Sequence, residues 1–185
     1  YGNLPNYFNT TGVVYLAASG DDGYNQNGAP EALASVVSIG GTVLSKSGST
    51  YSETVWTDAG SGCATGVTKP SWQHDSSCTY RTDSDISAVA QRVAEYDSID
   101  GGWFTVSGTS VASPLTAGIF GLAENAGSQT AAKKFWKLKK KQYKKDLHDI
   151  TTGSNGSCGG SYLCTGVKGY DGPSGWGTPN GIKAF

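Results

Sequence analysis

Three observations predict an α/β domain built on a parallel sheet. Runs that are apolar on both faces end at glycine turns. The last run leads straight into the three- and four-residue apolar spacing of a helix. Glycine, at 27 of 185 residues, stands at about twice the ~7 % of average proteins, which suits a loop-rich domain better than a helical bundle. A strand buried on both faces belongs to a parallel sheet covered by helices, and strands that feed glycine turns and then a helix mark that class.

The elements follow in order. Val13-Val14-Tyr15-Leu16-Ala17-Ala18 reads as a buried parallel strand, stopped by Ser19-Gly20-Asp21-Asp22-Gly23. Val36-Val37-Ser38-Ile39 is a second, stopped by Gly40-Gly41, and the run 103–106 is a third, stopped by Ser107-Gly108-Thr109-Ser110. Val111, Leu115, Ile119 and Leu122 then recur as the apolar face of a helix, with Pro114 in its first turns, where a missing N–H costs little. Residues 131–145, AAKKFWKLKKKQYKK, read either as a solvated helix or tether, or as a surface for an anionic partner with apolar contact from Phe135, Trp136 and Leu138. From Asp146 onward the chain is glycine-rich loop. A tail of that length needs something to hold it, a disulfide or a metal.

An apolar content of 37 % is enough for a core. No stretch approaches the ~20 apolar residues of a membrane-spanning helix, so no span is expected. Fourteen basic against fifteen acidic residues give −1, which excludes a globally basic nucleic-acid binder. Eight of the fourteen lie within 133–145, and the other 6 against 15 acidic residues leave −9 for the rest of the chain. The four cysteines form two local pairs, Cys63 with Cys78 and Cys158 with Cys164, neither at the spacing of a zinc ribbon. They read as two short disulfide loops worth ~2–3 kcal/mol each, which implies an oxidising compartment. Asn9-Thr10-Thr11 and Asn155-Gly156-Ser157 match the glycosylation sequon.

Ser110 is the sharpest chemical candidate. It stands between a glycine turn and the start of an apolar helix, in Gly108-Thr109-Ser110-Val111-Ala112-Ser113-Pro114. A tight turn there presents a nucleophilic oxygen, and the helix dipole favours negative charge beside it. A serine in that place also serves as a plain N-cap. Asp21 and Asp22 are either functional acids or a polar Asp-Gly turn. Neither His74 nor His148 sits where a base for Ser110 is expected, and Ala112 replaces the second glycine of a hydrolase elbow.

Gly-Thr-Ser-x-Ala-x-Pro resembles the nucleophile motif shared by subtilisins and sedolisins, the serine-carboxyl peptidases. Ser19-Gly20-Asp21 looks like the sedolisin version of the oxyanion loop, where subtilisins carry asparagine. Leu147-His148-Asp149-Ile150-Thr151, with Gly169-Tyr170-Asp171 and Gly175-Trp176-Gly177, is similar to the calcium loop that closes sedolisin domains. Ile39-Gly40-Gly41-Thr42, Lys69-Pro70-Ser71-Trp72-Gln73 and Asp85-Ile86-Ser87-Ala88-Val89 also look like that family. The resemblance covers nearly the whole chain apart from the lysine stretch.

It implies an incomplete, subtilisin-like parallel sheet flanked by helices. Residues 1–185 correspond to the C-terminal part of the peptidase domain, including the lysine-rich segment 131–145 and a calcium-loop tail at 146–185. Ser110 carries over as nucleophile and Asp21 as oxyanion stabiliser. Asp149 and Asp171 would give side-chain oxygens to Ca2+, and Ile150, Val167 and Gly169 backbone carbonyls. A hard cation wants six or more oxygens, and such a loop offers them. A carboxyl group donates to an oxyanion only when protonated, and burial of Asp21 is expected to favour that form; a carboxylate base is useful chiefly in acid.

The family's glutamate base and orienting aspartate belong to a helix well upstream of the Ser-Gly-Asp loop, and only 18 residues precede Ser19 here. Glu31, Glu53 and Asp58 do not match that motif. The expected protein is therefore a secreted acid endopeptidase acting on protein or peptide substrates, whose upstream half is a separate chain or lies elsewhere in the same polypeptide. The isolated chain is expected to be inactive, with no nucleic-acid partner. The alternatives are a non-catalytic, calcium-stabilised peptidase-like binding domain and a subtilisin-type fragment.

Overall fold

The computed structural model describes residues 3–124 and 131–185. A 3-10 turn at Leu4–Phe8 leads to strand β1 (Tyr15–Ala18), followed by β2 (Val36–Ser47), β3 (Thr50–Val55), β4 (Gly62–Thr68), β5 (Tyr80–Asp83) and β6 (Ile86–Val89). The hairpin β7 (Val93–Asp97) and β8 (Gly102–Val106) precedes helix α1 (Thr109–Leu122). Short helices α2 (Ala131–Trp136) and α3 (Lys140–Asp146) follow, then β9 (Leu147–His148) and β10 (Thr178–Pro179).

The long strand β2 organises the sheet. Its first half, valine- and isoleucine-rich and buried, pairs in parallel with β1 (Leu16 opposite Val37) and with β6 (Gly40 opposite Ser87). Its second half turns back antiparallel against β3, with Thr42 opposite Val55. The sheet is thus parallel at its centre and mixed overall. Helix α1 packs on β1, β2 and β6. The core holds Val37, Ile39, Trp56, Ile86, Ala112 and a ring triangle of Phe120, Phe135 and Phe185.

Several expectations change here. Strand β1 is only half-buried, because among the described residues it pairs with β2 alone. The run 103–106 lies in the antiparallel β7–β8 hairpin rather than in the parallel sheet, with Trp103 76 % exposed and stacked edge-on with Tyr96. Its apolar composition reflects cross-strand pairing. On α1 the buried positions are Thr109, Val111, Ala112, Thr116 and Phe120, while Leu115 and Leu122 face outward. Small residues allow the close approach to the sheet; of the expected apolar face, Val111 is buried and Ile119 packs against the core, while Leu115 and Leu122 stay exposed. Pro114 is the sixth helical residue, deep enough to deprive the Ser110 carbonyl of its intrahelical donor.

Residues 131–145 are not a tether. Phe135 and Trp136 are buried, and Trp136 packs against Tyr170 and Trp176 at ring-centroid distances of 4.3 and 5.5 Å. Both expected disulfides form, Cys63–Cys78 and Cys158–Cys164. The second sequon is structural: buried Asn155 donates from Nδ2 to the Ala59 carbonyl and to Ser61 Oγ. No helix among the described residues is long and apolar enough to cross a membrane.

Candidate active site and cation loop

The loop after β1 and the start of α1 meet through Thr109. Its backbone N–H donates to Asp21 Oδ1 at 2.7 Å and its hydroxyl donates to the same oxygen at 2.8 Å. Thr109 Oγ1 also accepts from the Gly20 N–H at 3.1 Å. Thr109 is fully buried and so holds the two loops together from beneath. With Oδ1 occupied by both donors, Oδ2 is the oxygen of Asp21 that no described residue engages.

Gly108, not Ser110, caps α1, and Ser110 is the helix's second residue. The N-cap alternative for Ser110 is therefore set aside. A Cβ built on Gly108 would lie 2.7 Å from Ser110 Oγ and 3.0 Å from Asp21 Oδ2. Both oxygens thus fall within 3.0 Å of one point, near enough to address one small group of atoms. That point is open only because residue 108 has no side chain. The Gly-Thr-Ser run contained the signal for both Gly108 and Thr109, but sequence reasoning gave neither a role.

Asp21 and Ser110 are exposed. The burial expected to keep Asp21 neutral is absent, because none of the described residues covers that side of the loop. Among those residues Ser110 Oγ has no hydrogen-bond partner, and neither His74 nor His148 bonds to it.

The tail folds back through the antiparallel β9–β10 pair and the Cys158–Cys164 loop. Buried Asp171 accepts from Ser174 N–H (2.8 Å) and Oγ–H (2.7 Å) through Oδ1, and from Val167 N–H (3.1 Å) through Oδ2. Both oxygens of Asp149 accept from Gly169 N–H at 3.1 Å. Burial pushes the Asp171 carboxyl up to about 7 against those donors, and the charge of Asp149 adds to the push. Among the described residues no donor reaches the carbonyls of Ile150, Val167 or Gly169, and no cluster of three His, Cys, Asp or Glu side chains forms. Asp149 and Asp171 are near enough for the charge of one to act on the other, and carboxylate and free carbonyl oxygens are the donor types a hard cation takes.

A second buried charge group lies beneath the sheet. Fully buried Arg81 pairs with Asp85, whose Oδ2 also accepts from Ser38 N–H and whose Oδ1 accepts from Trp136 Nε1. Asp83, equally buried, has no hydrogen-bond partner at normal geometry on either oxygen among the described residues, although the Ser38 hydroxyl is near enough to favour its charged form. Burial pushes its carboxyl up to about 8, despite the pull of Arg81.

No protein-family model matches the chain. Xanthomonalisin of Xanthomonas sp. (strain T-22) is 34 % identical over 77 % of the chain, and sedolisin of Pseudomonas sp. (strain 101) 29 % identical over 90 %. The matches span 20 % and 33 % of those proteins, so the chain corresponds to about a fifth to a third of their length. The solved structure of Pseudomonas sedolisin, a serine-carboxyl proteinase complexed with two molecules of pseudo-iodotyrostatin, superimposes with a TM-score of 0.77 at 28 % identity. That match covers 91 % of this chain and 53 % of the sedolisin chain. Over the part of those proteins that it spans, the chain belongs to the sedolisin family.

Proposed function

We propose that this chain is the nucleophile-bearing, C-terminal part of a secreted serine-carboxyl endopeptidase that works in acid. The observation that carries the reading is the convergence of Ser110 Oγ and Asp21 Oδ2 within 3.0 Å of one point. Ser110 Oγ attacks the peptide carbonyl carbon and its proton passes to a carboxylate base. Asp21, in its acid form, donates from Oδ2 to the oxygen that becomes negative. Collapse of the tetrahedral intermediate breaks the C–N bond, returns the proton to the leaving amine and leaves an ester on Ser110, which water then hydrolyses.

The base and its orienting aspartate come from polypeptide outside these 185 residues, as a second chain or an upstream half. The half-exposed apolar strand β1 and the outward Leu115 and Leu122 support this, since such surfaces ordinarily face another part of a protein. That polypeptide would also cover Asp21. Two disulfides support an oxidising, extracellular setting.

Asp149 and Asp171, with the carbonyls of Ile150, Val167 and Gly169, would hold Ca2+ and tie the tail to β9. The cation supplies positive charge that balances two neighbouring carboxylates; the chain's own residues do the orienting.

The test is reconstitution. The chain joined to the upstream region of its own polypeptide is expected to cleave a denatured protein in acid, and Ser110→Ala and Asp21→Asn are each expected to abolish turnover without loss of fold. A reconstituted protein that cleaves equally well with Ser110→Ala refutes the reading.

A further inference from the structure

The segment 131–145 brings eight lysines into a chain that is otherwise acidic. Its aromatics are committed to the core, so the lysines form the side turned outward. Lys134 Nζ donates to the Phe185 carbonyl. Lys137, Lys139, Lys140, Lys141, Lys144 and Lys145 are exposed, and among the described residues none of these six lies within ion-pair distance of a carboxylate. At helical spacing Lys140, Lys141, Lys144 and Lys145 occupy one arc of about 140° on α3. Tyr143, packed on Trp176 at 5.4 Å, and buried Asp146 occupy the other side.

That arrangement has a cost in the free protein. Like charges at i, i+4, here Lys140 with Lys144 and Lys141 with Lys145, destabilise a helix by about 0.2–0.5 kcal/mol per pair. The row also opens at one end into a pocket of about 420 Å³ lined by Lys144, Lys168, His148 and Asp149. There Asp149 accepts from the Gly169 N–H, and Lys144 and Lys168 bring two positive charges to the same pocket.

We propose that the lysine face of α3, with the adjoining pocket, is a docking surface for a sulfated polysaccharide. Three features select that class of polyanion. Phe135 and Trp136 are buried and half-buried Tyr143 is packed edge-on against Trp176, so no aromatic ring of this segment stands fully exposed to stack bases of a single-stranded nucleic acid. The same burial removes the apolar side chains that insertion into a lipid surface requires. The patch is only about 10 Å long at 1.5 Å per residue, and the rest of the chain carries −9. A flexible chain with closely spaced charges follows such a patch, whereas a stiff duplex overruns it into repelling surface. The proposal does not depend on the peptidase reading.

Heparin titrated into the full chain tests it, with labelled heparin followed by anisotropy at two salt concentrations. The expected result is binding that weakens steeply with salt, and at least about tenfold weaker binding by K140Q/K141Q/K144Q/K145Q. Arginine at the same four positions is expected to retain binding, and far-UV circular dichroism checks the fold. Should the fourfold glutamine variant fail to fold, K144Q/K168Q is expected to weaken binding severalfold on its own. Absence of heparin binding at low salt, or unchanged binding by a folded glutamine variant, overturns the proposal. Equal or tighter binding of a single-stranded oligonucleotide or of phosphatidylglycerol vesicles overturns the choice of polysaccharide.

Discussion

Asp21 Oδ1 accepts both donors of Thr109, a residue 88 positions away in sequence, its N–H at 2.7 Å and its hydroxyl at 2.8 Å. This pairing leaves Oδ2 as the oxygen of Asp21 that no described residue engages, and it joins the loop after β1 to the start of α1. Thr109→Val keeps the shape and removes the hydroxyl, leaving the Gly20 N–H without its acceptor. The expected loss is about 1–3 kcal/mol of stability, the cost of a buried polar group left unpaired, and Thr109→Ser should recover most of it. Urea unfolding measures both; a valine variant as stable as the parent shows that the junction is held by something else.

Gly108 is the second position at which the candidate site depends on one residue. Its φ of +154° is unfavourable for residues with a side chain, and the added Cβ would meet Ser110 Oγ at 2.7 Å. Gly108→Ala is expected to cost about 1–3 kcal/mol and to block the point at which Ser110 and Asp21 converge. Labelling of Ser110 by an acylating probe in the reconstituted protein is the direct readout. Undiminished labelling in the alanine variant counts against that point as the reaction centre.

Much of this fold was legible because its signals are local. Val36–Ile39 is apolar on both faces and became the centre of the parallel sheet, and the cysteine spacings gave both disulfides. The Gly-Thr-Ser run likewise marked the place where α1 begins. What escaped was set by packing between distant elements. The run 103–106 has the composition of a buried strand, yet its partner is its own hairpin. On α1, apolar periodicity selected Leu115 and Leu122, whereas the sheet accepts the smaller Ala112 and Thr116. Asp21 is exposed because none of the described residues packs over it, which no local pattern records. The lysine stretch hid two core aromatics, since their partners lie far along the chain, Phe120 and Phe185 for Phe135 and Tyr170 and Trp176 for Trp136.

The tail gives a prediction about metal. If Asp149, Asp171 and the three carbonyls hold Ca2+, chelation at neutral pH lowers the melting temperature and added calcium restores it. A ligand present at about 100 times its Kd stabilises by about 2.7 kcal/mol. Asp171→Asn should remove most of that calcium response while leaving the Cys158–Cys164 bond intact. A melting transition unmoved after complete calcium removal would reject the site.

The remaining prediction concerns pH and rests on Asp83. Its carboxyl is fully buried, Arg81 is paired to Asp85, and burial raises the Asp83 pKa from 3.8 to about 8 against the pull of Arg81 and Ser38. The raised value fixes the sign. Below about pH 4 both the folded and unfolded chains hold this proton, and the stabilisation is fully present. Between about 4 and about 8 the unfolded chain releases the proton while the folded chain keeps it. Stability therefore falls as pH rises, by up to about 1.4 kcal/mol per pH unit. Above about 8 the dependence on this group flattens. Asp171, raised in the same direction in the metal-free chain, adds a slope of the same sign, so the informative quantity is the difference between parent and variant. Asp83→Asn mimics the neutral acid and should be less pH-sensitive than the parent across that window, its advantage growing toward pH 8. Unfolding free energies of the two proteins at several pH values provide the comparison, and parallel curves would show that Asp83 does not carry the proton in the folded state.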